Sequence, residues 1–188
     1  TTGAQNPGQA GYLAGRMMNL LSPEPGDYVV CQTHQDAFNS AERAAGFSQF
    51  FAGKDGFSVH DMAFYEDKPV GWQVENLYRE FRNIRGIFVV NDSVHRIADT
   101  VTLMGRKPQT TLIGYDLIDQ NCRAMRDGKV DCLISQRPEF QGYTAIYQLY
   151  RKGILNQEPE QSTEVPIDIF LLENLPLCTA ALSYHRQI

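Results

Sequence analysis

Short apolar runs, each closed by turn or cap residues, alternate along this chain with longer stretches in which apolar residues recur every three or four positions. The runs Tyr28-Val29-Val30-Cys31, residues 57–64, Ile87-Phe88-Val89-Val90, Thr111-Leu112-Ile113-Gly114-Tyr115 and Val130-Asp131-Cys132-Leu133-Ile134-Ser135 have strand length and strand composition. Helical spacing connects them. Asn6 as N-cap and Pro7 at the first helical position open a helix with Ala10, Leu13, Ala14, Met17 and Leu21 on one face, stopped by Ser22-Pro23-Glu24-Pro25-Gly26. Gly11 and Gly15, four apart on that helix, predict close packing against a sheet.

Asn39 and Glu42 resemble a capping box for a helix ending at Gly53. A helix over about 72–83 carries Leu77 and Phe81 inward, with Gly86 after its end. Asn91-Asp92-Ser93 caps a helix with Val94, Ile97, Ala98, Val101 and Met104 at helical spacing, closed by Gly105. A short helix stops near Gly128, and another runs over Pro138–Gly153 with Ala145, Ile146 and Leu149 turned inward. After a Gln-, Glu- and Pro-rich loop, residues 165–171 alternate like a late strand. This rhythm predicts an α/β fold: a doubly wound parallel sheet with helices on both faces and right-handed crossovers.

Composition narrows the function. The 188 residues are 43% hydrophobic, enough for a conventional core, and no apolar stretch reaches membrane-span length. A net charge of −5, with no run among the 17 Lys and Arg residues, argues against this segment gripping phosphate backbones. Four cysteines without C-x-x-C spacing, and four histidines not spaced with them, predict reduced thiols and no metal site. No nucleophile elbow and no phosphate-cradling glycine loop after a strand is present, so neither catalysis nor a cofactor is expected. The start at Thr1, without Met and running straight into a helix signal, suggests a segment of a larger protein.

Three polar residues carry the candidate chemistry. Asn91, Asp116 and Gln136 each stand at the carboxyl end of a predicted parallel strand, where such sheets form their ligand crevice. A carboxylate that accepts and two amides that donate and accept suit a small molecule rich in hydroxyls. Each has a plainer role available: Asn91 as a helix cap, Asp116 as a turn residue, Gln136 as a partner for backbone groups. His34, Gln35, Asp36 and Phe38, after the first strand, are placed to line the same edge.

The ordered segments Gly11-Tyr12-Leu13-Ala14-Gly15, Arg43-Ala44-Ala45-Gly46-Phe47, Val89-Val90-Asn91-Asp92, Ile113-Gly114-Tyr115-Asp116 and Ile134-Ser135-Gln136-Arg137-Pro138, with Gln141-Gly142 following, resemble the LacI/GalR family. The similarity is to the effector-binding core those bacterial repressors share with type 1 periplasmic sugar-binding proteins. Ile167-Asp168-Ile169 with Glu173-Asn174 lean toward the repressor branch. The resemblance implies two α/β lobes around a ligand cleft. Residues 1–135 and 165–188 would belong to the C-terminal lobe, and residues 136–153 to a crossing and a helix of the other lobe, leaving that helix's apolar side without its sheet.

Ligand contacts implied by the resemblance are Arg43, Asn91, Asp116 and Gln136, with Trp72 as a stacking ring. Arg43 as a solvated helix arginine and Trp72 as a packing residue are the alternatives. Also implied are a small-molecule effector, most naturally a sugar, and operator DNA contacted through an N-terminal helix-turn-helix outside this sequence. A homodimer and a cytoplasmic location complete the expectation. An exported binding protein serving a transporter is the competing expectation, and an α/β enzyme domain a third.

Overall fold

The computed structural model describes residues 5–32, 38–65, 67–158 and 165–176. Among these residues six strands and six α-helices alternate: α1 (Pro7–Leu21), β1 (Gly26–Gln32), α2 (Phe38–Phe51), β2 (Phe57–Ala63), α3 (Val70–Glu80), β3 (Ile84–Val89), α4 (Val94–Leu103), β4 (Thr111–Tyr115), α5 (Asp119–Arg126), β5 (Cys132–Ser135), α6 (Pro138–Gly153) and β6 (Asp168–Phe170). They form one sheet in the order β2-β1-β3-β4-β5-β6. The first five strands run parallel, and β6 closes the edge antiparallel to β5, pairing Ser135 with Asp168. This is the α/β architecture that the alternation of runs predicts.

Both faces of the sheet are covered, which is why its strands read as continuous apolar runs. Val29, Cys31, Ile87, Val89, Leu112 and Leu133 pack under α3, α4 and α5. Tyr28, Val30, Phe88, Ile113, Tyr115, Cys132 and Ile134 pack on the opposite face under α1 and α2. Cys31, Cys122 and Cys132 are buried, and Cys178 lies outside the described residues.

Asn6 caps α1 as its sequence predicts, its Oδ1 accepting the Gln9 amide at 3.0 Å, with Pro7 as the first helical residue. Gly11, however, does not face the sheet. A methyl group there would fall 1.9 Å from the Arg43 carbonyl oxygen, so its bare backbone lets α1 lie against α2 and fixes the position of Arg43. Gly86 also departs from expectation. It follows α3 but lies within β3, and it is glycine there because the Met18 sulfur comes within 2.3 Å of where a Cβ would be. Pairing with β1 extends β3 back to Ile84, and α3 accordingly ends at Glu80. Likewise α2 begins at Phe38, which places Asn39 inside its first turn and not at the cap.

The remaining difference concerns α6. Ala145, Ile146 and Leu149 do not point inward: all three are exposed, Ile146 by 69% and Leu149 by 71%. No residue of α6 is buried, and Tyr143 and Tyr147 stack on each other in the open, 5.9 Å apart.

Candidate functional site

The carboxyl ends of β3, β4 and β5 meet where the strand order places neighbours side by side. β4 gains one further rung beyond Tyr115, since the Asp116 amide donates to the Ile134 carbonyl at 2.8 Å. The chain then leaves the sheet through Asp116 at φ 65°. That left-handed conformation costs an ordinary residue about 1–2 kcal/mol, and Asp and Asn tolerate it best. It aims the Asp116 carboxylate along the strand tips, where both oxygens accept from Gln136 Nε2 at 3.1 Å. Gln136 is steadied in turn by Gln141, whose Nε2 donates to its carbonyl at 2.7 Å.

Beneath this pair lies a buried polar floor. Arg43 of α2 is 6% exposed and its guanidinium stacks 3.8 Å over the Tyr115 ring, while Nη1 donates to the Val90 carbonyl at 2.8 Å. Its Nε is buried and, among the described residues, makes no hydrogen bond. The Tyr115 hydroxyl donates to Gln5 Oε1 at 2.9 Å, and Gln5 Nε2 donates to the Ser135 carbonyl at 3.0 Å. Burial pushes the Tyr115 phenol up to about 12, opposed by the Arg43 charge, so it stays a neutral donor.

A cleft of about 390 Å³ opens at the Asp116 and Gln136 pair, with Asp92, Asp116, Ile118, Gln136, Glu139 and Gln141 among its walls; Arg43, Tyr115 and Gln5 do not line it. Two amides and a carboxylate side by side offer donors and acceptors to a polyol. Among the described residues no cluster of His, Cys, Asp and Glu is arranged to hold a metal ion.

Of the sequence candidates, the structure brings Asp116 and Gln136 into direct contact, while Arg43 is packed on the Tyr115 ring and does not line the cleft. Asn91 stands at the tip of β3, but its Oδ1 accepts from the Ser93 amide at 3.3 Å and the Ser93 hydroxyl at 2.6 Å, a side-chain turn that launches α4. The neighbouring Asp92, which the sequence reading assigned only to the helix cap, lines the cleft. Trp72 is not brought to this cleft. It sits in the first turn of α3 after the edge strand β2, 51% exposed, with Lys68 Nζ 5.8 Å from its ring. His34, Gln35, Asp36 and the side chain of Phe38 lie outside the described residues. Tyr115, Gln5 and Asn121, whose Nδ2 donates to the Tyr115 and Asp116 carbonyls, contribute without a signal in the sequence. Tyr115 and Asn121 read as ordinary strand and helix residues, and Gln5 belongs to no pattern.

Burial raises the Asp116 carboxyl above its ordinary value. The Gln136 hydrogen bond and the Arg43 charge pull it down, and the Asp92 charge pushes it up. Asp116 therefore holds its proton more tightly folded than unfolded. Between its ordinary and its raised value the folded state binds more protons, so stability falls as pH climbs through that window. Asp116→Asn removes this charge-burial cost. The variant should melt above the wild type at pH 7, with the gap closing as pH drops below the ordinary carboxylate range; calorimetric melting from pH 3 to 8 checks it.

A model of the periplasmic binding protein domain matches residues 3–155. The chain belongs to the periplasmic binding protein domain family. No curated protein matches it. Among solved structures, this periplasmic binding protein domain is similar to GanP, a glucose-galactose binding protein from Geobacillus stearothermophilus, with TM-score 0.82, 16% identity, and 92% of this chain and 62% of that one covered. It is similar to a protein from Bacteroides fragilis assigned as a LacI transcriptional regulator, with TM-score 0.82, 26% identity, and 90% and 61% covered. A solute binding protein from Burkholderia graminis, solved with D-arabinose, gives TM-score 0.83 at 20% identity, with 94% and 63% covered. The chain thus spans about three-fifths of the length of each. Among the described residues of the domain, no helix is long and apolar enough to cross a membrane.

Proposed function

We propose that this chain is the C-terminal lobe of the effector-binding domain of a LacI-type transcriptional regulator, and that a sugar or similar small polar effector binds against the Asp116 and Gln136 tips. The observation that carries the reading is the carboxylate and amide pair at adjacent strand ends, with the Arg43 guanidinium held just beneath. Arg43, Asp116 and Gln136 are the main contacts, Asn91 acts from the adjoining strand tip, and Trp72 stacks only on a ligand reaching the outer rim. Residues 1–135 and 165–188 form the lobe, and 136–153 cross into the second lobe. Effector binding shifts the balance between open and closed lobes, and so the spacing of DNA-reading heads in a homodimer, by no more than its differential affinity for the two states. The similarity at 26% identity to a protein assigned as a LacI regulator supports this branch.

Similarity to the Burkholderia graminis protein, a solute binding protein of an ABC transporter, favours a second reading, delivery of the same class of ligand to a transporter outside the cytoplasm. The sequence upstream of this segment decides between them: a helix-turn-helix supports the regulator, and a secretory signal supports transport.

The charge of the cleft defines the ligand further. Three carboxylates, Asp92, Asp116 and Glu139, line it. Arg137, beside it, is committed as a fork to Asp168, with Nη2 to Oδ1 at 2.8 Å, and the Arg43 charge is already set against that of Asp116. Calorimetry of the full-length protein with D-glucose, D-galactose, D-allose and D-arabinose, against the 6-phosphates of the hexoses, is expected to show neutral sugars binding at least about fiftyfold more tightly. Tighter phosphate binding overturns the neutral-ligand reading, and binding of none overturns the site.

A further inference from the structure

Asn121 is completely buried on α5, three residues into a helix whose N-cap, Ile118, has no capping side chain. Its amide spends every hydrogen-bonding position it has. Nδ2 donates to the Tyr115 carbonyl at 2.9 Å and to the Asp116 carbonyl at 3.0 Å. Oδ1 accepts from the His95 backbone amide at 3.2 Å and meets His95 Nδ1 at 2.9 Å. Two carbonyls on one side fix the amide's orientation, and an oxygen facing Nδ1 requires that ring nitrogen to carry the proton.

These four partners belong to the exit of β4 and to the start of α4, two elements that frame the site. Tyr115 and Asp116 are the exit of β4, where the chain turns left-handed to present the carboxylate. His95 lies in the first turn of α4, which begins just beyond Asn91 and Asp92; Ser93, its N-cap, makes no side-chain cap to the helix. A free helix amide needs a partner, and Asn121 supplies it from the neighbouring helix. One side chain therefore ties the backbone under Asp116 to the helix start behind Asp92. Asp in its place accepts but cannot donate, and would set a carboxylate against two carbonyls. Leu does neither.

We infer that Asn121 is a positioning residue of the ligand site, holding Asp116 in its left-handed conformation, with His95 as its second anchor. The inference rests on the reading of Asp116 as a ligand contact. A group held to within a few tenths of an ångström by a supporting shell binds better than one that must be ordered by its ligand.

The test uses full-length protein, the Asn121→Asp variant, calorimetry with D-glucose, D-galactose, D-allose and D-arabinose, and the backbone carbon shifts of residue 116 by NMR. The expected result is that residue 116 leaves the left-handed range, the resonances of β1 and β2 stay in place, and affinity for the bound sugar falls at least about tenfold. If residue 116 stays left-handed, the inference is overturned, whether affinity holds or falls, and the site reading stands. If residue 116 moves and affinity is unchanged, or if no sugar binds the wild type, the site reading itself fails and takes the inference with it. Should Asn121→Asp not fold, His95→Ala, which removes a half-buried anchor and leaves the main-chain bond, shows the same pattern with a loss of about threefold; no change in it overturns the inference.

Discussion

Replacing Asp116 by Ala in the full-length protein is expected to weaken sugar binding by about a hundredfold or more while leaving the fold intact. A charged acceptor facing a sugar hydroxyl contributes about 1.5–3 kcal/mol per hydrogen bond, and two such bonds exceed a factor of 100. The fold should tolerate the loss because, among the described residues, the Asp116 carboxylate bonds only to the Gln136 side chain, and relief of its burial offsets the roughly 1–2 kcal/mol that Ala costs at φ 65°. The backbone bonds of Asp116, to Ile134 and Asn121, survive the substitution. Isothermal calorimetry beside thermal melting separates the two effects, and a normal affinity would remove Asp116 from the site.

Arg43 behaves differently under the same substitution. A solvated arginine can be truncated freely, and its helical position in the sequence suggests one. The structure places it 6% exposed between the Tyr115 ring and the Val90 carbonyl. Arg43→Ala thus removes a packed guanidinium together with its stack, and a loss of binding in that variant carries less information than the Asp116 result.

That contrast marks what is legible in the chain. Strand runs such as Ile87-Phe88-Val89-Val90 are visible because a sheet covered on both faces demands unbroken apolar residues, and polar tips such as Asp116 and Gln136 are visible because the same sheet ends at solvent. Contacts between elements leave no such trace. Gly86 reads as a helix terminator until Met18 is seen to occupy the space above it, and Gly11 reads as facing a sheet until α2 is found there. Asn121 looks like a mediocre helix former, since nothing in its local sequence indicates two carbonyls and an imidazole arriving from β4 and α4. Trp72 stands out by rarity, and rarity says nothing about which strand end a residue serves; it lies in the first turn of α3, after the edge strand β2, while the cleft lies over β3 to β5.

The 188-residue chain alone is expected to bind the effector on the order of a thousandfold more weakly than the full-length protein. Ligand pockets bury 70–90% of a ligand of this size, and a single wall of strand tips leaves most of one face in water; losing about 4 kcal/mol of contact corresponds to that factor. The state of α6 bears on the same comparison. Ile146 and Leu149 in α6 and Ile154 at its C-cap are each about 70% exposed, and this helix follows directly on the Gln136 and Arg137 segment of the site. Covering each such side chain would contribute about 1.5–3 kcal/mol. If α6 packs into a second lobe, as proposed, full-length protein should protect its amides from hydrogen exchange at least about a hundredfold better than the isolated chain, and the protection should anchor Gln136 as well. Equal sugar affinity in the two proteins, or equal exchange along α6, would contradict a cleft built from two lobes, because a complete site on this lobe has no need of the second wall.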